Sequence, residues 1–107
     1  MDTKSLFWTR EDDQVGSKDE NGNLAEGQRV FITEDGKQVF VRFRNGYLDG
    51  DVFNENGELE VKPAVETTGH LEYWREGKLH RDDGLPAVIS DGFAYKEWWE
   101  NNKRIYK

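Results

Sequence analysis

The chain has 107 residues, a formal net charge of −7 and no cysteine. That length sets one domain with a modest core. The lack of cysteine excludes a disulfide framework and a thiolate metal site, and no apolar run reaches the roughly 20 residues of a membrane-spanning helix. Hydrophobic residues make up 35% of the chain and charged residues another 35%, yet aromatics reach 13%. Disordered chains are poor in aromatics, so a folded domain with a thin core is expected. Met1-Asp2-Thr3-Lys4 carries neither the basic nor the apolar region of a secretory signal, which makes a cytoplasmic location the expectation.

Residues 1–18 hold a short apolar patch, Leu6-Phe7-Trp8, and then the acidic run Glu11-Asp12-Asp13. They read as an N-terminal cap strand followed by a mobile acidic loop. From residue 19 onward, turn signals recur at short intervals: Asn21-Gly22, Asp35-Gly36, Asn45-Gly46, Asp49-Gly50, Asn56-Gly57, Thr68-Gly69, Glu76-Gly77, Asp83-Gly84, Asp91-Gly92 and Asn101-Asn102. Asn-Gly and Asp-Gly pairs supply the positive φ that tight hairpin turns need. Between the turns lie strand-like runs. Residues 29–33 form one, and 38–44 the clearest, with Val39, Val41 and Phe43 on one face and Phe40, Arg42 and Arg44 on the other. Residues 70–74, 86–89 and 93–99 read likewise. Helix signals are almost absent. The expectation is an all-β fold: one domain over 1–107, an antiparallel meander of repeated β-hairpins in a single twisted sheet.

The pattern repeats. Pro63-Ala64-Val65 precedes Gly69 at the offset by which Pro86-Ala87-Val88 precedes Gly92. Tyr73 through Lys78 aligns with Trp98 through Lys103, and more weakly with Arg42 through Tyr47. Asp19 through Leu24 resembles Asn54 through Leu59. About three degenerate units span 19–107, each a hairpin whose face its neighbours complete. The run Trp74-Arg75-Glu76-Gly77-Lys78-Leu79-His80-Arg81-Asp82-Asp83-Gly84-Leu85-Pro86-Ala87-Val88 resembles a degenerate repeat of bacterial, phage and large-virus proteins that is similar to MORN repeats. Leu85 between Gly84 and Pro86, and Asn102 and Ile105 in the last unit, depart from that pattern. The resemblance implies a ribbon of β-hairpins and a binding or scaffolding role, and is nearly silent on the partner.

Chemistry-bearing clusters are few. His80 with Asp82 and Asp83 suggests a metal or acid–base site, but the repeat equivalents of His80 are Ile105 and Asp49, so a hydrogen-bonded turn explains it better. His70 reads as a satisfied strand histidine. The turns at 19–22 and 54–57 lack the distal acidic ligand of a calcium loop. Phosphate loops, nucleophile elbows and zinc-protease motifs are missing. No catalytic residue, metal or cofactor is expected.

Binding is the expected role: a non-enzymatic protein-binding module, a small bacterial or phage inhibitor or accessory protein. The candidate anchors are Trp98, Trp99, Trp74, Tyr73 and Trp8: neighbours on a strand point to opposite faces, so one of Trp98 and Trp99 serves the core while the other is covered by a second layer or exposed. The acids Glu11, Asp12, Asp13, Asp19 and Glu20 form a candidate rim for a partner protein with a basic surface. Such a field disfavours direct nucleic-acid binding, and no membrane contact is expected. Two other readings stand beside this one. The acids, extended by Glu34, Asp35, Asp49 and Asp51, suggest a nucleic-acid mimic that blocks a defence enzyme of the anti-CRISPR or anti-restriction type. The tryptophans suggest a carbohydrate platform. A homodimer through an exposed edge at residues 5–10 is a further expectation.

Overall fold

The computed structural model describes residues 3–106; Met1, Asp2 and Lys107 lie outside the described residues. Twelve short strands follow one another in it: β1 (Gly27–Ile32), β2 (Gln38–Arg44), β3 (Tyr47–Leu48), β4 (Asp51–Phe53), β5 (Leu59–Val61), β6 (Val65–Thr67), β7 (His70–Glu72), β8 (Trp74–Arg75), β9 (Lys78–Leu79), β10 (Val88–Ser90), β11 (Tyr95–Glu100) and β12 (Lys103–Ile105). Among the described residues there is no helix, hence none able to cross a membrane. The fold is all-β, and every strand pairing is antiparallel. One main sheet runs β1-β2-β6-β7-β10-β11-β12, with β3 also paired to β2. The hairpins β4–β5 and β8–β9 stand beside it.

The side-chain alternation of β2 places Val39, Val41 and Phe43 in the core. Strand register extends that face into a row across five strands: Val41, Val65, Glu72, Val88 and Glu97. Trp74, Trp99, Leu48 and Leu79 fill the space beside it, each at 1% exposure or less. Large rings compensate for the small area of so short a chain.

The hairpin units are equivalent in backbone detail. Asn45-Gly46 (φ 53°, 85°), Glu76-Gly77 (51°, 79°) and Asn101-Asn102 (47°, 70°) form the same left-handed turn. The amide of the second turn residue reaches back to the preceding unit each time: Gly46 N–H to Ala25 O, Gly77 N–H to Leu48 O, Asn102 N–H to Leu79 O, all at 2.9 Å. Ala64 and Ala87 likewise donate to Glu72 O and Glu97 O, both at 2.8 Å. The loops at 19–23 and 54–58 also match. Asp19 Oδ1 accepts from the amides of Asn21 and Asn23, as Asn54 Oδ1 does from those of Asn56 and Glu58.

Several expectations fail. Among the described residues no cap strand forms at the N-terminus, and the following segment is tied to the hairpins. Residues 13–18 cross the row of turns, with Ser17 N–H on Gly46 O (2.8 Å) and Val15 N–H on Gly77 O (2.7 Å). Residues 3–8 strap the core face, and residues 5–10 form no strand. The open edges are β1 and β12. Asp49-Gly50 is not a turn either. Asp49 is buried against Arg44 (2.9 Å), and Gly50 packs on the backbone of Lys62.

Candidate functional site

Polar chemistry concentrates beneath the N-terminal strap. Glu72 and Glu97 are fully buried, at 0% and 1% exposure. A buried carboxylate is tolerated only when its oxygens are hydrogen-bonded. Glu72 accepts from Trp74 Nε1 (2.9 Å), Ser5 Oγ (2.7 Å) and Leu6 N (2.7 Å), and His70 Nε2 lies at 2.7 Å. Glu97 accepts from Trp99 Nε1 (2.8 Å), Thr3 Oγ1 (2.6 Å), Lys4 N (2.8 Å) and the Tyr95 hydroxyl (2.7 Å). Burial opposes ionisation of Glu97, but these donors hold its pKa below the ordinary glutamate value.

His70 Nδ1 lies 2.9 Å from Ser90 Oγ, which completes a Ser90–His70–Glu72 chain with the spacing of a nucleophile, base and acid. The next unit carries an equivalent arrangement. Tyr95 stands two residues before Glu97 as His70 stands two before Glu72, and its hydroxyl does the same job. The histidine is one of the donors that keep a buried carboxylate satisfied. His80 is engaged similarly, by Asp82 Oδ1 (2.7 Å) and the amide of Asn101 (3.1 Å). Arg75 and then His80 hold Asp82 below the usual carboxylate pKa. No cluster of three potential metal ligands occurs among the described residues.

The aromatic anchors divide differently from expectation. Trp74, Trp99 and Tyr73 are core, and Tyr73 lies under the Arg81 guanidinium at 3.7 Å. Trp8 is half-buried on Trp99, with ring centroids 5.1 Å apart. Only Trp98 stands on the outer face. It is half-buried, with Nε1 donating to Gly84 O (3.0 Å). A flat tryptophan platform for sugar is therefore not assembled.

The acids are also dispersed. Glu11, Asp12 and Glu20 are exposed. Asp13 is bound by Thr9 and Arg10, which lower its pKa, and Asp19 is spent on its own turn. Asp49 and Asp51 are buried and paired with Arg44 and Arg75, which takes them out of any phosphate-like row.

A surface the sequence reading passed over lies at β1. All six of its residues are exposed, although Val30, Phe31 and Ile32 are apolar. Among the described residues its second side pairs with no strand. Val30 stands opposite Phe40 on the outer face, and Phe31 opposite Val39 on the other. A cavity of about 510 Å³ opens beside the strand, lined by Asp19, Glu20, Arg29, Val30, Phe31 and Phe43 among others. The available signal was the apolar run 30–32 itself, which puts apolar side chains on both faces and so cannot bury them all against one core. No family model, curated protein or solved structure matches the chain.

Proposed function

We propose that the chain is a non-catalytic protein-binding module of the MORN-like hairpin-repeat kind, a small bacterial or phage inhibitor or accessory protein. It captures an extended segment of its partner along β1. One observation carries this reading: a six-residue edge strand, exposed throughout and open on one side, that presents Val30, Phe31 and Ile32. Such an edge offers unpaired main-chain donors and acceptors, which natural sheets ordinarily blunt. Strand addition uses them for affinity, while alternate side chains give specificity. Asp19, Glu20, Glu34 and Asp35 lie in the loops on either side of β1 and favour a basic segment. The equivalence of the three turns supports the repeat kind.

The test compares wild type with Val30→Lys/Ile32→Lys in affinity for a partner captured from bacterial lysate. Both residues are exposed, so folding should survive. Affinity should fall at least about tenfold, and amide exchange at residues 27–32 should slow in the wild-type complex. If binding survives this change, is lost on charge reversal of Glu11 and Asp12, and falls steeply with salt, the nucleic-acid-mimic reading takes its place.

A further inference from the structure

Satisfaction of Glu72 accounts for one ring nitrogen of His70 and leaves the other unexplained. Trp74 Nε1 and Ser5 Oγ donate to Glu72 Oε1, while Leu6 N and His70 Nε2 meet Oε2, so four partners fill the acceptor sites of the carboxylate. In the neutral imidazole, Nε2 therefore carries the proton and Nδ1 the lone pair. Ser90 Oγ, 2.9 Å from Nδ1, is then the donor of that hydrogen bond. A serine hydroxyl aimed at an imidazole whose far side is held by a carboxylate is the arrangement that activates a nucleophile.

The next unit shows what satisfaction alone requires. There the Tyr95 hydroxyl serves Glu97, and behind it stands Arg104, a donor with no nucleophilic oxygen. The histidine–serine pair exceeds that requirement, and it adjoins open space. Ser90 and His70 line a cavity of about 400 Å³ between the strap residues Lys4 and Leu6 and the turns at Gly69 and Gly92. That volume falls in the range of small-molecule sites. Leu6 and Val39 make part of its wall apolar, which suits a short alkyl chain.

Magnitude limits the chemistry. A positioned base supplies about 10²–10⁴-fold. That is too little to open an amide, and enough for an acyl group carried on a good leaving group.

We propose that Ser90 is a modification site, acylated by an activated ester or thioester of a short acyl chain, with His70 as the base. Ser90 Oγ forms the bond to the acyl carbon, and the bond from that carbon to the leaving oxygen or sulfur breaks with its electron pair. The hydroxyl proton passes to His70 Nδ1 and from there to the leaving group, so the histidine ends neutral and no oxidant or reductant is needed. The product is a Ser90 ester in the cavity beside the strap. The step is stoichiometric, so it goes beyond the binding reading without opposing it, and it does not rest on the use of β1.

The test treats the full chain with p-nitrophenyl acetate and locates the acetyl groups by peptide mass spectrometry. The proteins are wild type, Ser90→Ala, His70→Gln and Ser90→Cys. Wild type should gain an acetyl group on Ser90 faster than on any lysine. Ser90→Ala should keep only the slow lysine background, and His70→Gln should slow acetylation of Ser90 at least about a hundredfold. The chain has no cysteine of its own, so Ser90→Cys places a single thiol at the cavity, and iodoacetamide should label it in the folded protein. That labelling and the wild-type map decide the question even if His70→Gln fails to fold. Three results would overturn the proposal. Acetylation of wild type confined to lysines would show that Ser90 is not activated. An equal rate at Ser90 in His70→Gln would remove the base. A thiol at position 90 labelled only after unfolding in urea would show that the cavity does not admit a reagent to this side chain.

Discussion

Glu72 and Glu97 occupy the same place in successive units, and each receives the indole N–H of the tryptophan two residues further on, at 2.9 and 2.8 Å. The strap repeats this spacing. A hydroxyl and the next amide, Thr3 and Lys4, serve Glu97, and two residues later Ser5 and Leu6 serve Glu72. The strap is thus matched in period to the sheet beneath it. The tryptophans are held in the core by the same carboxylates that hold the strap on its surface.

Acid should therefore release the strap. The folded pKa of Glu97 lies below its unfolded value. Its contribution to stability is fully present above the unfolded pKa, near 4.3, and is lost as pH falls through the folded pKa. Thermal unfolding followed between about pH 7 and pH 2 should show stability declining below that range. Glu97→Gln should lower stability by about 2 kcal/mol at neutral pH, since it replaces hydrogen bonds to a charge, and should flatten part of the acid decline. An unchanged pH profile in Glu97→Gln would show that the Glu97 pKa is the same folded and unfolded, and would refute the lowered pKa.

Strap hydroxyls should matter despite lying outside every strand. Ser5→Ala removes one of the donors to Glu72, and Thr3→Val one of those to Glu97. Each should cost about 1–3 kcal/mol, because the carboxylate oxygen left behind is buried. Urea denaturation midpoints measure this. Thr9→Ala, whose exposed hydroxyl binds half-exposed Asp13, serves as the comparison and should cost within about 0.5 kcal/mol.

Glycine positions separate turn strain from close approach. Gly57 has φ 77° and open space around it, so Gly57→Ala should cost only the left-handed penalty, about 1–2 kcal/mol. Gly50 needs no unusual φ, but a Cβ there would overlap the Lys62 carbonyl oxygen. Gly50→Ala should cost about 3 kcal/mol or more, as overpacking against backbone does. Equal costs at the two sites, read from denaturant midpoints, would refute the assignment.

The contrast between these glycines shows what was legible in the sequence. Turn chemistry is local, so Asn45-Gly46, Glu76-Gly77 and Asn101-Asn102 could be read and aligned, and the alternation of β2 gave its core face. Asp49-Gly50 carries the same dipeptide signal, but tertiary packing decides its use, with the aspartate on Arg44 and the glycine on Lys62. The role of residues 3–18 was hidden for the same reason. Their bonds reach as far as Asn102, and the two-residue spacing of the strap has meaning only against partners distant in sequence. Asn102, which departs from the glycine of the other units, has a physical account. It tolerates φ 70°, and its amide donates to the carbonyls of Arg10, Glu11 and Asp13. That side chain ties down the N-terminal segment where Gly46 and Gly77 use their own backbone carbonyls. Core and surface among the tryptophans were undecidable because strand alternation fixes that neighbours differ, not which one faces inward.

The structure decides that question, and the adjacent pair gives the sharpest comparison. Trp99 is fully buried, bonded to Glu97 and packed against Trp8 with the rings tilted by 53°. Trp99→Ala should cost about 3–5 kcal/mol, and it should also loosen the strap by removing the surface on which Trp8 lies. Trp98 stands on the opposite face across from Ile105, half-exposed, with its indole N–H on Gly84 O. Truncating it removes the hydrogen bond to Gly84 O and partial burial, so Trp98→Ala should cost about 1–2 kcal/mol. Thermal melts of the two variants, with tryptophan fluorescence read in parallel, test both. The emission lost in Trp98→Ala should come from the red side of the spectrum, because a half-exposed indole emits at longer wavelength than a buried one. Equal destabilisation by the two truncations would mean that the outer face of β11 is covered in solution, and the Trp98 side would then have to be reassigned as core.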